Sequence, residues 1–122
     1  MKNPVGWFEI YVDDMARARG FYEQVFGVQL TRLDGIDLEM WAFPMAQDAY
    51  GASGALVKMP GLPAGARGTL VYFSCEDCAA EVEKAAAAGG RIQQQKMSIG
   101  QHGHIAIVAD TEGNLIGLHS MR

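Results

Sequence analysis

The sequence has no apolar run approaching the roughly 20 residues that a helix needs to cross a bilayer. Its first residues, Met1-Lys2-Asn3-Pro4, lack the apolar stretch of a signal peptide. These absences argue against a membrane partner and against secretion. The expected location is the cytoplasm.

Basic residues are few and scattered. Ten Lys and Arg are outweighed by 14 Asp and Glu, which gives a net charge of −4. Proteins that bind phosphate backbones gather Lys and Arg on one face, so nucleic acid is not an expected partner. The glycine-rich phosphate loops of nucleotide-binding proteins and the serine elbow of acyl-transfer enzymes are also missing from the sequence.

Only two cysteines are present, as the pair Cys75-x-x-Cys78. A zinc site would need two more ligands at a second knuckle, and a redox pair would need surroundings that favour the thiolate. The sequence offers neither. Asp77 has the position of a helix N-cap, so we expect Cys75 to end a strand and Cys78 to open a helix, as reduced thiols in or near the core.

The remaining composition is that of a globular domain, with 49% hydrophobic residues in a chain of 122. Apolar Phe8, Ile10 and Val12 alternate with Trp7, Glu9 and Tyr11, which is typical of a strand with two unlike faces. A helix with apolar residues at 3-4 spacing follows Asp13-Asp14 and ends at Gly27. Strand candidates come next at 28–33, 38–43 and 54–59, with a turn at Asp34-Gly35 between the first two.

The same order of elements returns after a loop at residues 60–68. A strand at 69–75 and a helix at 77–88 precede strands near 91–97, 104–109 and 114–120. Asp14 aligns with Asp77, and Gly27 with Gly90, at a constant offset of 63 residues. The sequence therefore predicts an α+β fold of two βαβββ modules in tandem, at about 5–59 and 69–120, within one domain spanning 1–122. Their mixed sheets would form a bowl with the helices outside.

Each helix must cover one face of its sheet, which leaves the opposite, concave face to enclose something. Phe8, Ile10 and Val12 are assigned to the first helix. Alternation assigns Leu38, Met40 and Ala42 to the same side. The residues predicted to line the concave face and contact a ligand are Trp7, Glu9, Tyr11, Glu39, Trp41, Phe43, Tyr72, His104 and His119.

Aromatic rings with a few convergent polar groups are the usual lining of a small-molecule pocket. The rings would stack on the ligand while Glu9 or His119, the candidate acid and base, fixes its orientation. In the alternative, the rings form a second core or a dimer interface in which the polar groups bond to each other or to water.

Two segments at opposite ends of the chain carry a resemblance to a known family. Residues 7–14 (WFEIYVDD), with the helix that follows, and residues 110–118 (DTEGNLIGL) resemble the vicinal oxygen chelate superfamily. That superfamily includes glyoxalase, bleomycin-resistance and extradiol-dioxygenase-like proteins. The resemblance covers essentially the whole chain and implies the same bowl-shaped fold.

Metal-using members of that superfamily place a His or similar ligand on the first strand of each module and a Glu on the last strand. Here those positions hold Trp7, Leu70 and Gly117, with Ala55 or Val57 at the fourth. None of these residues can bind a metal, so no metal or other cofactor is expected. An unusual divalent-metal site is the alternative, built from His102, His104 and His119 with Glu9 or Glu39.

Three classes of function stay open. The favoured one is a domain that binds or sequesters a small molecule without a metal. The second is a lyase, isomerase or dioxygenase-type enzyme of the same superfamily, with Glu9 and His119 as acid and base. The third is an interaction module. A homodimer is expected in each case, because the superfamily completes its bowls between modules and because short sheets leave strand edges exposed.

Overall fold

Two helices and eight strands follow one another in the order that the sequence predicts. The structure, a computed structural model, describes residues 2–34, 37–65 and 67–122. The elements are β1 (Val5–Tyr11), α1 (Met15–Phe26), β2 (Thr31–Arg32), β3 (Glu39–Ala42), β4 (Ser53–Lys58), β5 (Thr69–Ser74), α2 (Cys78–Ala87), β6 (Arg91–Ser98), β7 (His104–Ala109) and β8 (Leu115–Ser120). The predicted α+β class is confirmed. β2 is shorter than predicted, and Gly35 of the predicted turn lies outside the described residues.

Both helices begin at an aspartate, which explains why their starts could be predicted. Asp14 Oδ1 accepts the backbone N–H of Arg17 at 3.0 Å, and Asp77 Oδ1 accepts that of Ala79 at 3.1 Å. Each bond satisfies an N–H group that the start of a helix leaves without an intrahelical partner. α1 ends at Gly27, whose φ of 64° lies in the left-handed region that favours glycine.

The described residues form two compact units. The first unit is Trp7–Thr69, and its strand order is β2-β3-β4-β1. β1 and β4 are parallel, whereas the β3–β4 and β2–β3 pairs are antiparallel. Its buried core lies between α1 and one face of this mixed sheet, and consists of Val12, Met15, Leu30 and Leu56.

The second unit comprises the residues up to Gly6 together with Leu70–Arg122, in the strand order β5-β8-β7-β6. β5 and β8 are parallel, and the other pairs are antiparallel. The pairing of β6 with β7 shifts register twice, between Ile92 and Gln94 and between Gln94 and Met97. The core between α2 and this sheet consists of Cys78, Val82, Ala106, Val108 and Leu118.

The two cysteines lie where the sequence predicts. Cys75 directly follows β5 and Cys78 is the first residue of α2. Both are free thiols, Cys78 within the core of the second unit and Cys75 packed against it. Cys78 is fully buried. Burial, together with the charge of Glu81 and the nearby Cys78, raises the pKa of Cys75. A raised pKa disfavours the thiolate, which is the reactive form in redox pairs.

The outer side of α1 is unusually apolar. Phe21, Val25 and Phe26 are 59%, 56% and 63% exposed. α1 has 12 residues and α2 has ten. Neither helix of the described part of the chain has the length and apolar content to cross a bilayer.

Candidate functional site

Trp7, Glu9 and Tyr11, here called the Glu9 cluster, lie on the face of β1 opposite α1. This is the face that alternation predicts, because residues two apart on a strand point the same way. Glu9 accepts hydrogen bonds from both rings, from Trp7 Nε1 to Oε2 at 3.3 Å and from the Tyr11 hydroxyl to Oε1 at 2.7 Å. Trp7 and Glu9 are partly exposed, and Tyr11 is buried. The two rings therefore hold the carboxylate from both sides along the strand.

The side chains beside Glu9 on this face are small and uncharged. Glu9 pairs with Ala55 in the parallel register of β1 and β4, and Ala55 pairs with Ala42 of β3. Both alanines are buried. Among the described strand residues of the first unit, Glu9 is the only charged side chain on this face.

The alternating side chains of β3 lie on the opposite faces of the sheet from those predicted. Trp41 pairs with Leu56 of β4, and Leu56 belongs to the core beneath α1. The backbone N–H of Phe43 bonds to the carbonyl of Gly54, which continues the same register. The predicted placement of these β3 residues on the face with Glu9 is therefore wrong, and they lie on the α1 side: Glu39, Trp41 and Phe43.

Contacts with α1 account for this placement. The guanidinium carbon of Arg19 lies 3.6 Å from the centroid of the Trp41 ring, and the ring of Tyr22 meets Phe43 edge-on at 5.7 Å. Trp41 Nε1 donates to Glu39 Oε2 at 3.1 Å. Both aromatic rings of β3 therefore pack against α1. Alternation had assigned them to the face with Glu9, and that basis for placing them in the ligand pocket no longer holds.

β7 also differs from the prediction. His104 pairs with Ser120 and Ala106 with Leu118, and Ala106 and Leu118 both pack in the core against α2. His104 therefore lies on the α2 side, together with Ala106 and Val108, so its predicted place on the concave face is wrong. Its Nδ1 is buried and has no hydrogen-bond partner within the described residues.

His119 lies on the face predicted for it. It pairs with Ile105 of β7 and with Ser74 of β5, on the side of the sheet opposite α2, and Tyr72 shares that side. Since His104 lies on the α2 side, these two histidines cannot share a metal in the way that the alternative site required.

The ring of His119 is held by one backbone group. His119 Nε2 lies 2.7 Å from the carbonyl oxygen of His102, in the short 3-10 turn Gly100–His102 before β7. A carbonyl oxygen only accepts, so Nε2 carries the hydrogen of this bond. In the neutral ring, Nδ1 is then the nitrogen that can accept a proton.

The family model of the Glyoxalase/Bleomycin resistance protein/Dioxygenase superfamily matches residues 5–118. The chain belongs to this superfamily. The resemblance found in the sequence is thereby confirmed. Proteins of Mycobacterium tuberculosis and Mycobacterium bovis, both named "Putative glyoxylase CFP32", are 30% identical to it over 112 residues. The match covers 92% of this chain but 42% of theirs, so the chain spans less than half the length of these superfamily relatives.

Solved structures share the superfamily fold at low identity. Methylmalonyl-CoA epimerase from Mycobacterium tuberculosis has a TM-score of 0.66 at 17% identity, over 98% of this chain and 88% of that one. A hypothetical protein from Bacillus halodurans has a TM-score of 0.72 at 10% identity, over 100% and 96% of the two chains. Identities this low show the fold alone.

The superfamily's last-strand metal ligand has no room in the second unit. Gly117 pairs with Tyr72, and a Cβ added at position 117 would overlap the Tyr72 ring. A glutamate there would require that ring to move. The two first-strand positions hold Trp7 and Leu70. Across residues 2–34, 37–65 and 67–122, no three His, Cys, Asp or Glu side chains are grouped to hold a metal ion.

Two grooves of the first unit lie away from the Glu9 cluster. One, of about 340 Å³, runs along the start of α1 and is bounded by Arg17, Phe21 and Ala64. The other, of about 480 Å³, lies between Val12 and the segment Lys58–Pro63. None of the predicted ligand-contacting residues lines either groove. The sequence analysis missed them because it treated residues 60–68 only as a linker.

Proposed function

We propose that this chain is a small-molecule-binding member of the superfamily, in which the Glu9 cluster holds the ligand without a metal. The observation that carries the proposal is the pair of hydrogen bonds from Trp7 and Tyr11 to one carboxylate. They fix the direction of a polar group at a partly exposed position between two aromatic rings. That combination of apolar surface and one oriented polar group is typical of small-molecule sites.

The residues at the superfamily's ligand positions support metal independence. Trp7 and Leu70 have no metal-binding atoms of the kind required, and the Tyr72 ring fills the space beside Gly117. Orientation of the ligand must then come from hydrogen bonds and stacking by protein side chains. Trp7 and Glu9 are the partly exposed groups of the cluster that can supply both.

Titration calorimetry against a panel of metabolites and antibiotics tests this function. With a compound that binds, Trp7→Ala should weaken binding by roughly 1–3 kcal/mol because stacking area is lost. The matched control is Trp41→Phe, since Trp41 lies on the other face of the same sheet. Addition of a chelator should leave the affinity unchanged.

Loss of binding on chelation would contradict metal independence. Equal weakening by the two tryptophan substitutions would contradict the placement of the site. Thermal melting of both variants separates these outcomes from unfolding, because a Trp7→Ala protein that does not fold would identify Trp7 as part of the core.

A second candidate function is an isomerase or lyase in which Glu9 and His119 serve as acid and base. The fold likeness to methylmalonyl-CoA epimerase favours it, and the hydrogen on His119 Nε2 leaves Nδ1 as a proton acceptor. Exchange of the α-hydrogen of acyl-CoA thioesters in heavy water, followed by NMR, tests this reading. If the protein catalyses this exchange and Glu9→Gln abolishes it, the protein is an enzyme. If a thioester binds without exchange, the small-molecule-binding function remains.

A further inference from the structure

We infer that the exposed apolar side of α1 is the surface through which two copies of this chain associate, with their α1 helices packed antiparallel. This surface consists of Phe21, Val25 and Phe26, and is here called the α1 patch. The inference goes beyond the proposed function and does not depend on it, because none of these residues belongs to the Glu9 cluster.

The α1 patch exposes a large apolar area. Its three side chains are each more than half exposed, and together they present on the order of 300 Å² of apolar surface, given the usual area of such side chains. Patches of this size on soluble proteins are often functional. The corresponding helix of the second unit, α2, has no such patch. The residues that α2 exposes are small or charged: Ala80, Glu83, Lys84, Ala86 and Ala87.

The rings of the α1 patch are ordered by packing within the first unit. The ring of Tyr22 meets Phe21 edge-on at 5.1 Å and stacks on Phe26 at 6.2 Å, measured between ring centroids. Tyr22 in turn packs edge-on against Phe43, beside the core beneath α1. Since these contacts already restrict the rings, association would cost less side-chain entropy than it would with freely rotating side chains.

The α1 patch lies beside a groove that is complementary to it. Phe21 belongs to the patch and also bounds the groove of about 340 Å³ along the start of α1, whose other apolar walls include Ala18 and Ala64. A twofold interface brings the same surface of both copies together, so that surface must be complementary to itself. An exposed apolar ridge next to an apolar groove meets this requirement.

The charges of α1 complement a second, antiparallel copy of the same helix. A helix carries partial positive charge at its start and partial negative charge at its end. α2 compensates both, with Glu81 in its first turn and Lys84 in its last, whereas α1 has no acidic residue in its first turn and no basic residue in its last. In antiparallel packing the start of each α1 lies beside the end of the other. The exposed Arg17 near the start of one helix would then approach the last carbonyl groups of the second copy's helix.

Gly20 is a further feature of α1 that a second helix explains. Glycine inside a helix is destabilising relative to alanine. Outside its own helix, no described atom lies within 4 Å of the Cβ that another residue would place at position 20. Ala16 and Gln24, one turn before and after Gly20, are both exposed, so Gly20 lies on the solvent side of α1. Packing within the chain therefore does not require a glycine there, whereas the close approach of a second helix does.

Sedimentation velocity from micromolar to millimolar protein tests the inference. The patch area per copy is well below the roughly 800 Å² that each partner contributes to a standard interface, so the dimer should be weak and should dissociate on dilution. Phe21→Ser should raise the dissociation constant at least about tenfold. The matched control is Tyr50→Ser, because Tyr50 is a fully exposed ring in the loop before β4, and it should leave the dimer unchanged.

Gly20→Gln separates association from folding. Glutamine is a better helix former than glycine and meets no described atom at this position, so the melting temperature of the dilute, monomeric protein should stay the same or rise. The longer side chain should nevertheless prevent close approach of the second helix and raise the dissociation constant at least about tenfold.

A protein that stays monomeric at millimolar concentration would overturn the inference and leave the α1 patch to a partner of another kind. A dimer that either Phe21→Ser or Gly20→Gln leaves intact would overturn the assignment of the surface. Equal weakening by Tyr50→Ser would also overturn it, because association would then be a general property of the exposed apolar residues.

Discussion

The ring of Tyr72 lies in the space that any side chain at position 117 would occupy, and Gly117 pairs with it in the parallel register of β5 and β8. The two residues thus fit together only because position 117 lacks a Cβ. Gly117→Ala should therefore destabilise the protein by roughly 1–3 kcal/mol, the usual range for overpacking.

In a Tyr72→Ala background the same substitution should cost much less, because the clashing ring is gone. Urea unfolding of the two single variants and the double variant measures this coupling. Additive free energies would show that Gly117 is needed for a reason other than the ring.

Arg19 connects α1 to β3 through the ring of Trp41. The guanidinium carbon is 3.6 Å from the ring centroid, and Arg19 also pairs with Glu23 at 3.5 Å. We expect a coupling free energy of about 0.5–1 kcal/mol between Arg19→Met and Trp41→Leu in a double-mutant cycle, as for a partly exposed cation–π pair. A second cycle of Arg19→Met with Glu23→Gln should give less, since surface ion pairs contribute little. A larger coupling free energy in the second cycle than in the first would show that Arg19 contributes more through its ion pair with Glu23 than through its contact with Trp41.

Cys75 should react slowly with iodoacetamide near neutral pH. Burial first, then the charge of Glu81, raises the pKa of its thiol, which lowers the fraction present as thiolate. Glu81→Gln should lower this pKa and speed the reaction, and Cys75→Ser identifies which thiol is modified. Rapid alkylation of the folded protein at Cys75, with no response to Glu81→Gln, would contradict this account and favour a redox role for the pair with Cys78.

Asp77 couples the start of α2 to β6. Its pKa is lowered by a 2.8 Å hydrogen bond from Lys96 and by the backbone N–H of Ala79. A lowered pKa in the folded state stabilises the protein above the unfolded value, and this contribution is lost as pH falls through the folded value. Lys96→Met should thus lower the melting temperature near neutral pH and have no effect in strong acid.

Lys58→Met, which removes an exposed lysine, is the control for the melting temperatures of Lys96→Met. NMR titration of the Asp77 carboxyl should show its pKa move upward in Lys96→Met alone. An unchanged titration would mean that the helix cap, and not Lys96, holds the carboxylate ionised.

The sequence predicted the elements well because their signals are local. Asp14 and Asp77 mark the helix starts, Gly27 marks a helix end, and period-2 alternation marks the strands. The face of β1 was also predictable, since only one of its two sets of residues is purely apolar. His119 was placed correctly because Ile116 and Leu118 make an unambiguous apolar pair for α2.

The faces of β3 and β7 were not predictable because both alternating sets on these strands include apolar residues. In β3, either Met40 and Ala42 or Trp41 could pack on the α1 side. In β7, either Ala106 or Ile105 could pack on the α2 side. Pairing partners decide such cases: Leu56 of β4 fixes Trp41, and Leu118 of β8 fixes Ala106. Register between strands is a non-local property, so alternation within one strand cannot supply it.

The irregular pairing of β6 has a consequence for how the protein behaves at high concentration. β6 is the last strand in the order of the second unit, and its register shifts lie around Gln94, where the neighbouring Gln93 and Gln95 are exposed. A bulged edge bends away from the straight ladder that an incoming strand needs, so it resists growth into fibrils by strand addition. The same irregularity makes this edge unsuitable as the contact of the homodimer expected from the sequence. We therefore expect a homodimer to form through a different surface.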